Sequence, residues 1–422
     1  MNYRVLCKVL GWLVLLVAAA MLACEIYAVV AERGHDDETH EWALLKAFAI
    51  AAGLGVILLG YGWRAGNNVL RKEGMAIVGL GWIVAAIVGA IPYALCTPAL
   101  NPAAAFFESA SGFTTTGSSV IADLDQYPRS ILLWRATTQW LGGMGILVLF
   151  VALLSTLGVG SKSLFRNESS AQIGYGFHSR IRETATRLWQ IYAGLTVICV
   201  AGLMVLGMSF YDALLHGFAA ISTGGFSPRN ASAAFYGSVA IEAWLSIFMF
   251  LGGVSFVLMA WLLRRRFERL RMDEEFKGYA MIIFATTAVI ALDLVVRREE
   301  GWGQALRESS FQVISVMTTT GFVSADYDAW PTLSKAILVM LMFIGGCSGS
   351  TSGGMKVSRV IIFMKTTKQH LINSFRPAQV VPLRLNGQVL SESLVASAVF
   401  FLALTFFIVG TSTLVITVIE PN

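Results

Sequence analysis

The chain has 422 residues, of which 56% are hydrophobic and only 14% are charged, with a net charge of +5 and a mean hydropathy of +0.68. These values exclude an ordinary soluble domain, whose apolar core is diluted by polar surface. They predict an integral membrane protein whose excess positive charge faces the inner lipid surface rather than a nucleic acid. The five cysteines lie in or beside apolar stretches, without the spacing of disulfides or of a zinc site.

Apolar stretches long enough to cross a bilayer recur along the whole chain, since a spanning helix needs roughly 20 residues. Nine are predicted, near 9–30, 43–63, 75–96, 131–157, 189–210, 239–263, 278–296, 333–366 and 389–419. Three shorter segments, near 101–113, 211–221 and 305–317, predict half-helices that enter the membrane without crossing it. Each half-helix runs directly into a glycine-containing string.

Lysine and arginine in the loops predict the orientation of the chain. They follow the second, fourth, sixth and eighth spans, at Arg64, Lys72, Lys162, Arg166, Arg180, Arg264, Arg265, Arg266, Lys365 and Lys368 among others. Such loops face the cytoplasm. The N-terminus is therefore expected inside, and the half-helices are expected to enter from outside.

Three related strings follow the half-helices: "SGFTTTGSSV", "AAISTGGFSP" and "SVMTTTGFVS". Aligned on one glycine each, they give the triplets Thr115, Thr116, Gly117; Ser222, Thr223, Gly224; and Thr319, Thr320, Gly321. A Gly-Gly pair follows in the next span each time, at Gly142, Gly252 and Gly345. A unit of span, half-helix, string and span has therefore been used three times.

Cation dehydration is the chemistry that favours this unit. Backbone carbonyls can replace the water shell of an ion such as K⁺, provided that glycine allows the strained backbone. Each half-helix would point its negative C-terminal end at the ion. For any single string the alternative is a re-entrant turn that caps a half-helix.

A glycine-rich segment, "GGCSGSTSGGMK", interrupts the eighth span. Such a composition cannot hold a regular lipid-facing helix. The alternative is a helix kink packed against a neighbour.

The strings, with "VMTTTGFVSADYDAWP" and "GGCSGSTSGGMKVSR", resemble the Trk/Ktr/HKT superfamily of potassium transport proteins, most closely the bacterial Trk-type membrane subunit. The resemblance implies an all-α integral membrane fold, with repeated membrane-pore-membrane units around a central K⁺-channel-like pore and two additional N-terminal helices. The three triplets would form the K⁺ filter. The glycine-rich segment would be an intramembrane gate at Gly349, Ser350, Thr351, Ser352 and Gly353.

The same resemblance implies the surroundings of the pore. Lys356 and Arg359 would stand at the cytoplasmic exit, although snorkelling anchors are the alternative. It implies a multi-pass protein of the bacterial inner membrane that forms a homodimer and binds a cytoplasmic NAD- or ATP-binding regulatory subunit. No cofactor is expected on this chain, and K⁺ is the transported ion.

The predicted units are 1–73 for the two extra helices, 74–160, 161–271 and 272–376 for three pore units, and 377–422 for the start of a fourth. The spacing of the first three places a fourth glycine at about 436–444, beyond Asn422. We therefore expect a truncated transporter. The alternatives are a missing quarter supplied by another chain, and a non-conducting or regulatory subunit.

Other function classes are weaker. An ion-coupled symporter would carry buried carboxylates near mid-membrane, and the candidates Glu108, Glu242 and Asp293 are expected to be interfacial or to pair with a half-helix. No catalytic motif indicates an enzyme. His216 is expected to pack or to form hydrogen bonds rather than to bind a metal.

Overall fold

The computed structural model describes residues 2–32, 42–66, 71–145, 181–376 and 382–420. Its helices are α1 (Tyr3–Glu32), α2 (Ala43–Gly62), α3 (Arg71–Leu95), α4 (Pro102–Phe113), α5 (Arg129–Gly143), α6 (Ile181–Val205), α7 (Phe210–Ser222), α8 (Val239–Gly252), α9 (Phe256–Leu263), α10 (Phe267–Met272), α11 (Glu274–Arg298), α12 (Trp302–Met317), α13 (Thr332–Phe343), α14 (Val357–Phe375) and α15 (Glu392–Ile419). A short antiparallel hairpin, β1 (Arg384–Leu385) and β2 (Gln388–Val389), precedes α15.

The two N-terminal helices pack along each other, as expected for an extra pair outside the repeat. Small residues bring their backbones close. A Cβ atom placed on Gly62 would lie 2.6 Å from the carbonyl oxygen of Arg4. Buried side chains of α1 and α2 continue into the core formed by α3, α4 and α5.

The predicted repeat is present in the fold. A long helix, a short helix, a glycine string and a second helix follow one another as α3, α4 and α5, then as α6, α7 and α8, and again as α11, α12 and α13. Two of the short helices, α4 and α7, begin at a side-chain cap suited to a helix start. The side chains of Asn101 and Ser209 accept hydrogen bonds from the backbone N–H groups of Ala104 and Asp212. The predicted half-helices are thereby confirmed.

One of the predicted spans differs from the structure. Six described helices are long and apolar enough to cross a membrane, or seven if the bent pair α8 and α9 counts as one span. The prediction of one continuous span over 239–263 was wrong, because these two helices meet at 101°. The eighth span is divided into α13 and α14, as its glycine-rich segment predicted. The end of the fourth span, 146–157, and its basic loop to residue 180 lie outside the described residues.

The hairpin before α15 fastens that segment to the start of α11. Asn386 donates from Nδ2 to Asp273 at 3.0 Å and accepts the backbone N–H of Glu274 at 2.7 Å. Lys365 of α14 pairs with Glu274. Beyond the hairpin, α15 packs on α14 and buries only Ala398 and Leu402.

Candidate functional site

The three glycine strings lie side by side in the structure, although about a hundred residues separate one from the next. A Cβ atom placed on Gly117 would lie 2.2 Å from the carbonyl oxygen of Gly224, and one on Gly225 would lie 1.8 Å from that of Thr320. The first string therefore touches the second, and the second touches the third. A Cβ atom on Gly321 would meet no atom of the described residues within 4 Å.

Each string has the same alternating backbone. The torsion φ is positive at Thr115, Thr223 and Thr319, and positive again two residues later at Gly117, Gly225 and Gly321, but not at the residue between. Alternation of left- and right-handed torsions turns successive N–H groups to one side of a chain and successive carbonyl oxygens to the other. This conformation is strained for non-glycine residues, so it persists only where surrounding contacts hold it.

The alignment of the second string was wrong by one residue. Thr115, Thr223 and Thr319 each donate their backbone N–H to the carbonyl three residues earlier, and the next residue donates five residues back. With the torsions, these bonds make Thr223, Gly224 and Gly225 the equivalents of Thr115, Thr116 and Gly117. Ser222 is then the last residue of α7 and not the first of the triplet.

Hydroxyl groups tie the first and third strings to their own half-helices. Ser111 donates to the carbonyl of Ser118 at 2.6 Å, and Ser315 donates to that of Phe322 at 2.7 Å. The hydroxyls of Thr114 and Thr116 lie 2.8 Å apart, and those of Thr318 and Thr320 lie 2.7 Å apart. The second string has Gly224 where these two have Thr116 and Thr320, so it lacks this bridge.

A glutamine from α5 occupies the corresponding space in the second string. Gln139 donates from Nε2 to the carbonyl oxygen of Gly224 at 2.6 Å and accepts the backbone N–H of Phe226 on Oε1 at 3.0 Å. Its side chain is fully buried. A Cβ atom on Gly224 would lie 2.4 Å from the carboxamide carbon, so the glutamine leaves no room for a side chain at this position.

One turn before Gln139, Arg135 holds the first string. Its Nε donates to Glu108 of α4 at 2.6 Å, and its second guanidinium nitrogen donates to the hydroxyl of Ser119 at 3.0 Å. Glu108 also accepts the Ser119 hydroxyl and the backbone N–H of Val120. The guanidinium lies 4.0 Å from the ring centre of Phe226, in contact with the second string.

Each half-helix has one charged residue paired with a residue of opposite charge. The pairs are Glu108 with Arg135, Asp212 with Arg229, and Arg307 with Glu242. Asp293 of α11 bonds Ser334 and Arg297. The carboxylates considered for a symporter are therefore all paired. His216 confirms its predicted role, since Nδ1 lies 2.8 Å from the carbonyl of Asp212 and Nε2 lies 3.2 Å from the hydroxyl of Ser227.

The loops that follow the strings are also joined. Asn230, after the second string, accepts the backbone N–H of Leu124 at 2.8 Å and donates to Asp123 at 2.8 Å. This bond, with the backbone N–H of Asp125, holds the pKa of the Asp123 carboxyl below its usual value. Ala234 donates its backbone N–H to the carbonyl of Val323, which links the second loop to the third.

The glycine-rich loop, Ile344–Lys356, runs beneath the second and third strings. Thr351 donates to the carbonyls of Ile221 and Gly252, at 2.9 and 3.0 Å. Gly353 donates its backbone N–H to the hydroxyl of Thr319 at 2.7 Å. The remaining predicted loop residues also form hydrogen bonds. The Gly349 carbonyl accepts the backbone N–H of Phe256, the Ser350 hydroxyl donates to the carbonyl of Cys347, and the Ser352 hydroxyl accepts the backbone N–H of Gly346.

Glu275, which the sequence did not single out, anchors this loop from below. Its Oε1 accepts the backbone N–H and the hydroxyl of Ser348, at 2.7 and 2.9 Å, and the backbone N–H of Ser358 at 3.0 Å. The side chain is almost fully buried. One carboxylate therefore holds both the loop and the start of α14.

Lys356 and Arg359 stand where the loop passes into α14, and both are engaged. Lys356 donates to the carbonyl of Ser352 within the loop. The guanidinium of Arg359 lies 3.9 Å from the ring centre of Phe401 on α15. Lys356 is therefore part of the loop structure and not an extended lipid anchor.

Comparison with known proteins extends over nearly the whole chain. The family model TrkH, described as a cation transport protein, matches residues 62–285 and 280–422. The chain is 36% identical over 417 residues to the Trk system potassium uptake protein TrkH of Halomonas elongata, covering 97% of this chain and 85% of that protein. It is 35% identical to the protein of the same name from Escherichia coli K12, covering 93% and 81%. The crystal structure of the potassium transporter TrkH from Vibrio parahaemolyticus matches with a TM-score of 0.87 and 31% identity, over 99% of this chain and 86% of that one.

Proposed function

Since the chain belongs to the TrkH family of cation transport proteins, we propose that it takes up potassium ions through a backbone-carbonyl filter. It is a multi-pass membrane transport protein and not an enzyme. The observation that carries the filter proposal is the shared alternating backbone of three touching strings. Three strings with this conformation can turn their rows of carbonyl oxygens toward one ion.

The proposed filter comprises Thr115, Thr116 and Gly117, then Thr223, Gly224 and Gly225, and finally Thr319, Thr320 and Gly321. The C-terminal ends of α4, α7 and α12 precede these strings and add negative potential for a cation. Carbonyl oxygens then replace the hydration shell of K⁺, whereas Na⁺ is discriminated by the number and field strength of these dipoles. In each string the second residue with a positive φ is a glycine (Gly117, Gly225 and Gly321), which supports this assignment.

The glycine-rich loop is the proposed gate, with Gly349, Ser350, Thr351, Ser352 and Gly353 as its central residues. It is supported by the position of the loop beneath the second and third strings and by its bond to Thr319. An ion that left the filter on this side would meet the loop next. Lys356 and Arg359 then mark the cytoplasmic exit.

The wider setting follows from the basic loops and from the family. We place the chain in the bacterial inner membrane, with its N-terminus in the cytoplasm. The proposed arrangement has three pore units, preceded by two extra helices and followed by the start of a fourth unit. The pore units are 74–160, 161–271 and 272–376, the extra helices lie in 1–73, and the fourth unit begins in 377–422. The proposed partners are a second copy of the chain and a cytoplasmic nucleotide-binding regulatory subunit. K⁺ is the only ligand required by this scheme.

The open space beside Gly321 favours one further possibility. Among the described residues no atom lies within 4 Å of a Cβ placed there. In this alternative the fourth side of the ion is closed by another chain. A regulatory subunit that does not conduct alone is the second candidate function on this ground.

Rb⁺ uptake in cells that lack their own potassium uptake systems tests both candidates. This chain is compared, at equal amounts in the membrane, with the product of the genomic reading frame that encodes it and with an empty vector. Uptake by either product supports transport through the filter. If neither exceeds the empty vector, the proposed function fails.

A further inference from the structure

Gln139 and its neighbour Arg135 give the first unit a role in shaping the second string. The positions equivalent to Gln139, three residues before the Gly-Gly pair, hold Met249 in α8 and Met342 in α13. Those equivalent to Arg135 hold Leu245 and Leu338. Only the first unit therefore has polar side chains at these two positions, and buried polar groups in a membrane protein are costly unless they serve a purpose.

We infer that Gln139 determines ion specificity by replacing in the second string the threonine bridge that the other two strings contain. This inference rests on the proposed potassium filter and adds to it a residue outside the strings. The Gln139 carboxamide forms a hydrogen bond on each side of Gly225, with the Gly224 carbonyl and with the Phe226 N–H. It thus fixes the segment whose glycine lies against Thr320 of the third string.

Two effects of the carboxamide act in the same direction. It fixes the position of the second string, so the carbonyls cannot close around a smaller ion. It also donates a hydrogen bond to the Gly224 oxygen, which lowers the negative field that this oxygen offers a cation. Loss of the carboxamide both loosens the string and strengthens that field, and each change favours Na⁺ relative to K⁺.

Arg135 acts as a positioning residue within this arrangement. It lies one helical turn before Gln139, bonds the first string through Glu108 and Ser119, and covers the ring of Phe226. Through these contacts one helix face holds two strings at a fixed separation. Arg135 is not proposed to touch the ion.

The reciprocal fit of Gln139 and Gly224 provides a rescue experiment. Gln139→Ala removes the carboxamide, and Gly224→Thr alone places a Cβ in the space that the carboxamide fills. The double variant has room for a threonine, whose hydroxyl can approach Ser222 as Thr116 approaches Thr114. Gln312→Ala is the matched control, because Gln312 is equally buried but donates to the carbonyl of Ala325, beyond the third string.

The measurement is the ratio of Rb⁺ to Na⁺ uptake by the product of the genomic reading frame, at equal membrane amounts. We expect each single variant to lower the ratio about tenfold, the scale of one unsatisfied buried polar group, and the double variant to recover most of it. Gln312→Ala should leave the ratio unchanged. An unchanged ratio in Gln139→Ala, or a double variant no better than the singles, overturns the inference while wild-type Rb⁺ uptake leaves the proposed function intact.

A second readout avoids dependence on folding yield and on conduction. The midpoint of thermal unfolding of purified protein is measured in KCl and in NaCl, and the difference between the salts reports the ion preference of the filter. Gln139→Met, close in size to glutamine, should abolish this difference, and the midpoint in NaCl should also fall because the Gly224 carbonyl and the Phe226 N–H lose their partner. If Gln139→Met keeps the difference, the inference is wrong. A wild-type protein without uptake and without this difference overturns both the inference and the proposed function.

Discussion

The backbone N–H of Gly353 donates to the hydroxyl of Thr319 at 2.7 Å, so the glycine-rich loop bonds directly to the third string. The same hydroxyl donates to the carbonyl of Thr318 at 2.6 Å. Thr319 has the left-handed torsion shared by all three strings, with φ of 59°. A movement of the loop therefore changes the contacts of a strained residue in the proposed filter.

Removal of the Thr319 hydroxyl should weaken the closed state. Thr319→Val keeps the shape and the branching of the side chain but leaves the Gly353 N–H without its acceptor. We expect Rb⁺ uptake under conditions that close the gate to rise about fivefold, since a net hydrogen bond contributes about 1 kcal/mol. Thr319→Ser, which retains the hydroxyl, is the control. Equal uptake by Thr319→Val and Thr319→Ser would show that the bond between the loop and Thr319 does not contribute to gating.

Glu275, which anchors the loop, should contribute more to the free energy of unfolding than the neighbouring carboxylate of Glu274. Glu275→Ala removes the acceptor of three donors from Ser348 and Ser358 and leaves the two backbone N–H groups unsatisfied, at an expected cost of about 2–4 kcal/mol. Glu274→Ala removes a half-exposed ion pair with Lys365, for which about 0–1 kcal/mol is expected. Thermal unfolding of the two purified variants provides the comparison. A Glu275→Ala midpoint as high as that of Glu274→Ala would contradict the anchoring role.

The ion pairs of the half-helices should differ in importance according to burial. Glu108 and Arg135 are 0% and 3% exposed, whereas Arg307 in the pair with Glu242 is 33% exposed. Glu108→Gln leaves a buried guanidinium without its charge partner, and breaking such pairs costs about 3–5 kcal/mol. Glu242→Gln leaves Arg307 able to reach solvent and should cost less. The amount of folded protein in the membrane and its unfolding midpoint should rank the variants in this order, and the reverse order would refute the argument.

Much of the fold was predictable, because spans and half-helices are set by length and apolarity, which are properties of local sequence. The second string was misaligned because "TGG" offers two glycines, and only the backbone torsions distinguish Gly224 from Gly225. Gln139 and Arg135 were missed although "WRATTQW" placed polar residues in an apolar span. That signal was available, since polar groups at membrane depth generally mark function.

Other contacts had no signal in the sequence. Glu275 forms hydrogen bonds with Ser348 and Ser358, which lie 73 and 83 positions away, and no sequence pattern connects these residues. The break between α8 and α9 depends on the loop as well. Gly349 accepts the backbone N–H of Phe256, the first residue of α9, and so caps a helix start that an isolated apolar span would not have. Such pairings form only when distant segments pack.

Alanine substitution of the string glycines should show whether the fourth side of the filter is filled. Gly225 and Gly321 have nearly equal torsions, with φ of 78° and 83°, so a side chain costs about 1–2 kcal/mol at either position from backbone strain alone. They differ in their surroundings. The Cβ of Gly225→Ala would lie 1.8 Å from the Thr320 oxygen, whereas that of Gly321→Ala would meet none of the described residues. We therefore expect Gly225→Ala to abolish Rb⁺ uptake and Gly321→Ala to reduce it only in part, at equal membrane amounts. Equal loss in the two variants would show that a segment outside the described ranges packs against Gly321 and completes the ring.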